Sequence, residues 1–394
     1  MMCGVKLGLL FLIGASAFAA PGVPELGQRG QYTVGVRTVN LVHKGQPDIL
    51  HVDATTGIAP LYDRPLTVEI WYPAVRVEGQ AESTVYEMAG RDAQTIRLSI
   101  AGRAIRDAVP VEGLKFPLVI LSHGYPGSRI FLSYLGEHLA SRGYVVASID
   151  HTDSVLGAIR PFPSTLLNRS SDQLFVLNEM AVSLKNVDAE RVAIIGYSMG
   201  GYGVLASAGA GYSPQGAAMS AVPGGYLKGW TAGNADYQAR LPKNLKAIVA
   251  IAPWGEQPPY NSWDAAGLAG IHVPSLFIAG DHDDVADYAR GIKPAFDGAV
   301  NSNRCFLVYE NARHNTGGNP PPPGLTRAED INFFGEPVWD KQRLDAINEH
   351  FVTAFLDLYL KGDESKRAYL TDPTKGFEKR WALGYGVQCK AASN

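Results

Sequence analysis

The sequence predicts an α/β fold with a mostly parallel sheet of about eight strands flanked by helices, and two patterns support this prediction. From Phe116 onward, six fully apolar runs alternate with helical stretches, as strands buried on both faces of a parallel sheet require. Before them, two segments starting at Gln31 and Pro65 alternate apolar and polar residues, which is typical of antiparallel edge strands. The six runs are PLVILSHG (residues 117–124), YVVASID (144–150), VAIIGYS (192–198), KAIVAIAPW (246–254), SLFIAGD (275–281) and CFLVYEN (305–311).

Helical periodicity fills the connections between these runs. Residues 128–142 place apolar side chains four apart and end at Gly143, a residue type that commonly terminates helices. Residues 173–184 and 199–208 are predicted to form helices in the next two crossovers. The last helix is predicted over residues 344–361, where an apolar stripe at helical spacing indicates packing against the core.

The N-terminus has the pattern of a secretory signal peptide. Lys6 precedes an apolar run over residues 7–13, and small residues then lead to Ala-Phe-Ala, which ends at Ala19. The alternative is a membrane anchor, but the apolar run is well short of the roughly 20 residues that span a bilayer. We therefore expect residues 1–19 to be removed, leaving a secreted or periplasmic protein without a membrane anchor.

Residues 20–394 are predicted to form a single domain, because neither an internal repeat nor a low-complexity linker divides them. The core is expected at about residues 65–361, followed by a C-terminal tail at 362–394. Two long insertions are expected within the core, at about residues 209–242 and 314–343. Loops of this length in a compact domain are usually functional or mobile.

Composition argues against several classes of partner. Charged residues make up 19% of the chain, the formal net charge is -3, and the basic residues form no run. Binding to nucleic acid or to an anionic membrane surface favours a concentrated basic patch. We therefore expect neither of these partners.

Removal of the leader would leave two of the three cysteines, Cys305 and Cys389. In an oxidising compartment a disulfide between them is expected, joining the last predicted strand to the C-terminal tail. Two free thiols are the alternative, because sequence alone does not give the distance between the two residues.

The stretch IIGYSMGGYG, residues 194–203, fits two different motifs. Gly196, Ser198 and Gly200 form G-x-S-x-G, the tight strand-to-helix turn that exposes a serine nucleophile. Residues 201–206 form G-x-G-x-x-A, a dinucleotide-binding fingerprint. The fingerprint needs its glycines directly after the strand and an acidic residue about 20 positions later, and both conditions fail here. The serine motif has the apolar strand before it and the small-residue helix after it, so it is the favoured interpretation.

A serine nucleophile needs a histidine base and a carboxylate that orients the base, and on this architecture they follow in the order serine, acid, histidine. His314 comes directly after the last buried run, where the base is expected. His272 precedes a strand, His350 lies within the final helix, and His282 shares a loop with the candidate acids. We therefore predict His314 as the base.

The acid is expected after the SLFIAG strand, in the sequence GDHDDVAD. Asp283 is favoured over Asp281 and Asp284, because Asp281 is close enough to the strand end to hold the loop by local hydrogen bonds. A metal site is the rival explanation for this acidic cluster. No cysteine or histidine spacing elsewhere completes a ligand set, so we expect no metal and no cofactor.

An acyl-transfer site also needs donors for the oxyanion. One is expected to be the backbone N–H of Met199, which follows the nucleophile, and the other comes from the loop after an earlier strand. In that loop, SHGYPG, Pro126 has no N–H, which leaves the N–H of Tyr125. His123 is interpreted as a structural support of this loop rather than as a second base.

Four segments in this order carry a family resemblance: LVILSHGYPGSR, IIGYSMGGYG, FIAGDHDDVAD and ENARHN. Over residues 65–361 the chain resembles α/β-hydrolases of the platelet-activating-factor acetylhydrolase and predicted dienelactone hydrolase group, which is related to cutinase-like polyester hydrolases. The resemblance implies an α/β-hydrolase fold and the same roles for the five residues chosen above. It also implies that Trp254 lines the acyl pocket, although an ordinary packed tryptophan is an equal alternative. Dienelactone hydrolases proper use a cysteine where this chain has Ser198.

The sequence therefore predicts a serine carboxylic ester hydrolase that acts through an acyl-enzyme, with a small-molecule or polymeric ester as substrate. A peptidase or another acyl hydrolase using the same three residues is the first alternative. The second is a hydrolase-fold binding protein without catalytic activity.

Overall fold

The computed structural model describes residues 22–91, 97–219, 222–378 and 383–393. The predicted signal peptide, residues 1–19, lies outside the described residues. Within the described ranges, no helix is both long enough and apolar enough to span a membrane.

Twelve strands occur in the described residues. They are β1 (Thr33–Pro47), β2 (Leu61–Ala74), β3 (Thr84–Ala89), β4 (Arg97–Gly102), β5 (Ile105–Arg106), β6 (Phe116–Ser122), β7 (Val145–Asp150), β8 (Val187–Tyr197), β9 (Leu245–Ile251), β10 (Ser275–Gly280), β11 (Arg304–Tyr309) and β12 (Tyr385–Lys390).

Ten α-helices occur in the same ranges. They are α1 (Ser133–Ser141), α2 (Phe162–Ser183), α3 (Met199–Ser207), α4 (Pro214–Ala217), α5 (Ala235–Arg240), α6 (Ala265–Ala269), α7 (Lys293–Gly298), α8 (Ala328–Phe334), α9 (Lys341–Leu360) and α10 (Arg367–Thr371). Short 3-10 helices span Glu25–Gly27, Ile49–His51, Pro223–Trp230 and Glu364–Lys366, and a π-helical turn spans Tyr288–Ile292.

The central sheet has the order β12-β11-β10-β9-β8-β6-β7-β2-β1-β5. Strands β6 to β11 are parallel to one another, and β2 continues the sheet antiparallel to β7. The strands at its centre are buried along their length, as their uninterrupted apolar sequences require. Helices α1 and α9 pack against each other and the sheet, and α2 and α3 form a second packed pair. The prediction of a mostly parallel sheet flanked by helices is confirmed.

The sheet of the described residues has ten strands rather than the eight predicted. The additional strands are the two-residue β5 and β12, which lies in the predicted C-terminal tail and pairs antiparallel with β11. Since β12 is largely exposed and its sequence is polar, it lacks the apolar run by which the other strands were recognised.

Two predicted helix boundaries were wrong. The helix predicted from residue 173 begins at Phe162, because prolines in its first turn are compatible with helical geometry. The helix predicted from residue 128 begins at Ser133. The predicted long insertions contain short helices of their own, α4 and α5 in the first and α8 in the second.

A disulfide joins Cys305 on β11 to Cys389 on β12, which are paired residues with Cα atoms 4.0 Å apart. The bond fastens the exposed edge strand to the sheet and closes a segment with a sequence separation of 84. Closing a long segment reduces the conformational entropy of the unfolded chain, and this stabilises the fold.

Replacing Cys389 by alanine is therefore expected to lower the free energy of unfolding by about 2–5 kcal/mol. Urea denaturation of the oxidised proteins measures this difference. Adding a thiol reductant serves as the control, because it should destabilise the wild-type protein and leave Cys389→Ala unchanged. Equal urea midpoints for the wild type with and without reductant would contradict the prediction.

Candidate active site

Ser198 lies in the turn between β8 and α3 with φ 54° and ψ −114°, a backbone conformation that is strained for a residue with a side chain. Its N–H donates to the carbonyl of Ile251 at the end of β9, at 2.8 Å. A Cβ on Gly196 would overlap the carbonyl of Gly200, and one on Gly200 would overlap the carbonyl of Ser122. The two motif glycines are therefore required by backbone packing, and the turn holds the serine hydroxyl above the end of the sheet.

Ser198, His314 and Asp283 lie in one chain of hydrogen bonds. The Nε2 atom of His314 is 2.9 Å from Ser198 Oγ, and its Nδ1 atom is 2.7 Å from Asp283 Oδ2. Because an ionised carboxylate only accepts, Nδ1 carries the proton and Nε2 is left to accept from the serine hydroxyl. The arrangement is that of a nucleophile, a base and an orienting carboxylate.

Of the three candidate aspartates after β10, only Asp283 is hydrogen-bonded to His314 in the described residues. Asp283 is buried, and its other carboxylate oxygen accepts the backbone N–H groups of Val285 and Ala286 at 2.9 and 2.8 Å. Asp281 accepts the N–H of Asn311 at 2.7 Å, so it joins the loop after β10 to the loop after β11, whereas the sequence suggested a hydrogen bond within its own loop. Asp284 pairs with Arg313 on the surface.

The other downstream histidines lie in different surroundings. His272 and His282 are exposed. His350 is buried within α9, where its Nδ1 atom accepts the N–H of Leu26 at 3.1 Å. Burial also lowers the pKa of His350, to about 3, so this histidine is neutral at neutral pH.

Tyr197 holds the loop of His314 through its hydroxyl group. Its hydroxyl donates to the carbonyl of His314 at 3.3 Å and lies 3.2 Å from Asn315 Oδ1. The ring centroid of Tyr197 is 5.4 Å from that of His314. Burial raises the pKa of Tyr197, so its hydroxyl remains a donor that anchors the His314 loop.

The predicted oxyanion donors flank Ser198. Gly124 lies directly against the serine, because a Cβ on it would be 3.2 Å from Ser198 Cβ. Tyr125 is the next residue, and its N–H has no hydrogen-bond partner among the described residues. Met199 is the first residue of α3, where a helical N–H lacks an intrahelical acceptor. Neither N–H group has a hydrogen-bond partner among the described residues.

Trp254 is adjacent to Ser198 through the backbone, since its N–H donates to the Ser198 carbonyl at 3.1 Å. Its ring packs against Tyr260 and Phe162, with centroid distances of 4.3 and 5.4 Å. Phe162 in turn meets the ring of Tyr125, at 5.0 Å. Sequence reasoning missed Phe162 and Tyr260, because only the folded chain brings these rings together.

The glycines of the nucleotide-binding fingerprint have a packing explanation. A Cβ on Gly203 would lie 2.6 Å from Cγ of Arg169, and one on Gly201 would lie 2.8 Å from Cα of Pro253. Both residues are inside α3, and their lack of side chains lets the helix approach its neighbours. Within the described ranges, no group of three or more histidine, cysteine, aspartate or glutamate side chains is arranged to hold a metal ion.

Two family models match parts of the chain. Residues 111–232 match the family described as PET hydrolase-like, and residues 28–162 match platelet-activating factor acetylhydrolase, isoform II. In the search of solved structures, a ferulic acid esterase from Streptomyces cinnamoneus has a TM-score of 0.59 at 20% identity, covering 91% of this chain and 96% of that one. This likeness shows that the chain has an α/β-hydrolase fold, and each of the two family models matches less than half of its 394 residues.

Curated relatives are similar over about half of the chain. Cutinase est1 from Thermobifida alba is 28% identical over 207 residues, which are 52% of this chain and 55% of the relative. A bis(hydroxyethyl) terephthalate hydrolase from Streptomyces coelicolor is 24% identical over 200 residues, or 50% of each chain. The chain therefore spans about half the length of these two relatives.

The packing at the serine turn predicts a stability effect. Gly196→Ala is expected to lower the free energy of unfolding by about 1–3 kcal/mol, because the added methyl group forces backbone to move. Gly386→Ala on β12 is the matched control, since a Cβ there meets nothing within 4 Å. Its stability should stay within about 0.5 kcal/mol of wild type in urea denaturation. Equal losses in the two variants would contradict the packing argument.

Proposed function

We propose that the protein is a serine carboxylic ester hydrolase in which Ser198 is the nucleophile, His314 the general base and Asp283 the orienting carboxylate. The observation that carries this proposal is the continuous hydrogen-bond chain from Ser198 Oγ through His314 to the buried Asp283. Two backbone N–H groups that have no hydrogen-bond partner in the part of the chain that the structure describes, those of Tyr125 and Met199, support it. They are the donors that an oxyanion needs.

In the first half of the reaction, Ser198 Oγ attacks the ester carbonyl as His314 Nε2 takes its proton. The carboxylate of Asp283 stabilises the imidazolium through the Nδ1–H bond. The carbonyl oxygen becomes an oxyanion, which the N–H groups of Tyr125 and Met199 stabilise. His314 then donates its proton to the departing alcohol, and the acyl group remains on Ser198.

In the second half, His314 Nε2 takes a proton from water, and the resulting hydroxide equivalent attacks the acyl-enzyme carbonyl. A second oxyanion forms at the same donors. Its collapse breaks the bond to Ser198 Oγ, which recovers a proton from His314, and the carboxylic acid leaves. These steps need only the protein groups named above and water.

The surroundings of the triad support a substrate with an apolar acyl part. The rings of Trp254, Phe162 and Tyr125 pack in a row, and the backbone N–H of Trp254 donates to the Ser198 carbonyl. A cleft of about 470 Å³ borders His314 and includes Phe333 in its lining. Because His314 protonates the leaving alcohol, we assign this cleft to the alcohol part of the ester.

The relatives support the same reaction class, since a cutinase, a bis(hydroxyethyl) terephthalate hydrolase and a ferulic acid esterase are ester hydrolases by name. A small-molecule or polymeric ester is accordingly the proposed substrate. We also propose that the protein is secreted or periplasmic, on the pattern of residues 1–19.

Ser198→Ala and His314→Ala are each expected to lower kcat/KM for p-nitrophenyl butyrate by at least about 10³-fold, because each removes a group that acts in the transition state. His282→Ala is the matched control, since His282 is exposed and shares the loop of Asp283 without touching the triad. Its kcat/KM should stay within about threefold of wild type. Initial rates of p-nitrophenol release measure all four proteins.

Activity of Ser198→Ala close to that of wild type would overturn the assignment of the nucleophile. A loss in His282→Ala with none in His314→Ala would move the base. Assaying p-nitroanilide peptides in parallel distinguishes the alternative reaction, because a peptidase would cleave them at rates that depend on the same serine.

A further inference from the structure

A buried polar cluster lies beneath the loop that carries Tyr125. It includes two histidines, His123 at the end of β6 and His151 at the end of β7, both fully buried with ring centroids 5.1 Å apart. Neither takes part in the reaction described above. Their hydrogen bonds determine where each carries its proton.

His123 is neutral and carries its proton on Nδ1. Its Nδ1 atom is 2.7 Å from the carbonyl oxygen of Gly124, which only accepts, so Nδ1 is the donor. Its Nε2 atom accepts the backbone N–H of His151 at 3.3 Å, which requires a free lone pair. Burial, with the positive charge of Arg169 nearby, lowers the pKa of His123 well below its ordinary value.

This hydrogen bond orients the next peptide group. In a planar trans peptide, the carbonyl and the following N–H point in opposite directions. The Gly124 carbonyl is directed inward to the His123 ring, so the N–H of Tyr125 is directed outward. Gly124 itself lies against Ser198, so this N–H is close to the nucleophile and points away from His123.

Helix α2 holds the His123 loop from below. Arg169 donates through Nη1 to the carbonyl of His123 and through Nη2 to Ser154 Oγ, the latter at 2.6 Å. Gln173, one turn further along, donates to the carbonyl of Gly200 at 3.0 Å. The same helix thus fixes the backbone of the loop before Tyr125 and of the turn after Ser198.

Two hydrogen bonds also hold the ring of His151 in place. Its Nδ1 atom is 2.9 Å from the carboxylate of Asp172, so Nδ1 is the donor, and Nε2 accepts the hydroxyl of Ser122 at 2.8 Å. Asp172 also receives two hydrogen bonds from Arg64, both at 2.8 Å. The arrangement resembles a Ser-His-Asp triad, but all of its side chains are buried from solvent and substrate. Its role is to hold the backbone N–H of His151 against His123.

We propose that His123 is a positioning residue of the oxyanion hole, whose Nδ1–H holds the Gly124 carbonyl so that the N–H of Tyr125 faces the reacting carbonyl. The expected effect of His123 on kcat rests on the proposed function. The hydrogen bond itself is independent of that function.

Two variants, His123→Asn and His123→Gln, test the roles of the two ring nitrogen atoms one at a time. In His123→Asn the side-chain amide nitrogen takes the place of Nδ1 and keeps the donor to Gly124. In His123→Gln the amide group reaches the place of Nε2 instead and loses that donor. Since one oxyanion donor is worth about 10²–10³ in kcat, His123→Gln should lose about 10²-fold in kcat with KM within about threefold. His123→Asn should stay within about fivefold of wild type.

Rates are divided by the active sites counted from the burst of p-nitrophenol, and thermal melting is recorded for each variant. A merely structural role would lower the melting temperature and the number of active sites in both variants, with equal kcat per site. That result, or an unimpaired His123→Gln, would overturn the proposal.

Nitrogen-15 NMR of the wild-type imidazoles tests the hydrogen bond without any assay of activity. We expect the His123 signals of a neutral ring protonated on Nδ1, and a ring protonated on Nε2 would overturn the proposal. If the wild type hydrolyses no ester, the proposed function fails. The NMR result then still decides whether His123 holds the Gly124 carbonyl.

Discussion

Ser198 carries the constraint on which the rest of the site depends, a left-handed backbone with φ 54° at the junction of β8 and α3. In a residue with a side chain this conformation costs about 1–3 kcal/mol, so it persists only where the surroundings determine it. The parallel sheet provides those surroundings, because its neighbouring strands end at the same edge. Ile251 on β9 binds the Ser198 N–H, and the loops after β10 and β11 bring Asp283 and His314 to the hydroxyl.

A second set of constraints comes from the buried ion pairs and hydrogen bonds around Arg64 on β2. Arg64 is fully buried, and an ion there without partners would strongly destabilise the fold. Asp172 and Asp153 compensate its charge, and each receives further hydrogen bonds from neighbouring side chains. Such a network adds little net stability but favours one arrangement, because any shift leaves a buried group unpaired. A backbone donor held rigidly before the oxyanion forms needs no reorganisation during the reaction.

Much of this structure follows from local sequence patterns. Six strands were predicted because burial on both faces demands uninterrupted apolar runs, and two because their residues alternate between apolar and polar. In contrast, β12 is polar and joins the sheet by backbone pairing and the bond to Cys305. Ser198 and His314 are 116 positions apart, and the predicted chain order was enough to select them before the structure brought them together. Their catalytic roles stay predictions. Phe162, Tyr260 and the contact of His123 with Gly124 were not predicted, because they depend on how separate loops pack.

The central claim, that Ser198 carries the acyl group during turnover, is tested most directly by trapping the intermediate. The protein is mixed with a p-nitrophenyl ester, quenched in acid within the first turnovers, digested and analysed by mass spectrometry. The account predicts an acyl adduct on the peptide that contains Ser198 in the wild type, and no adduct in Ser198→Ala. An adduct on a different residue, or undiminished hydrolysis by Ser198→Ala, would contradict it.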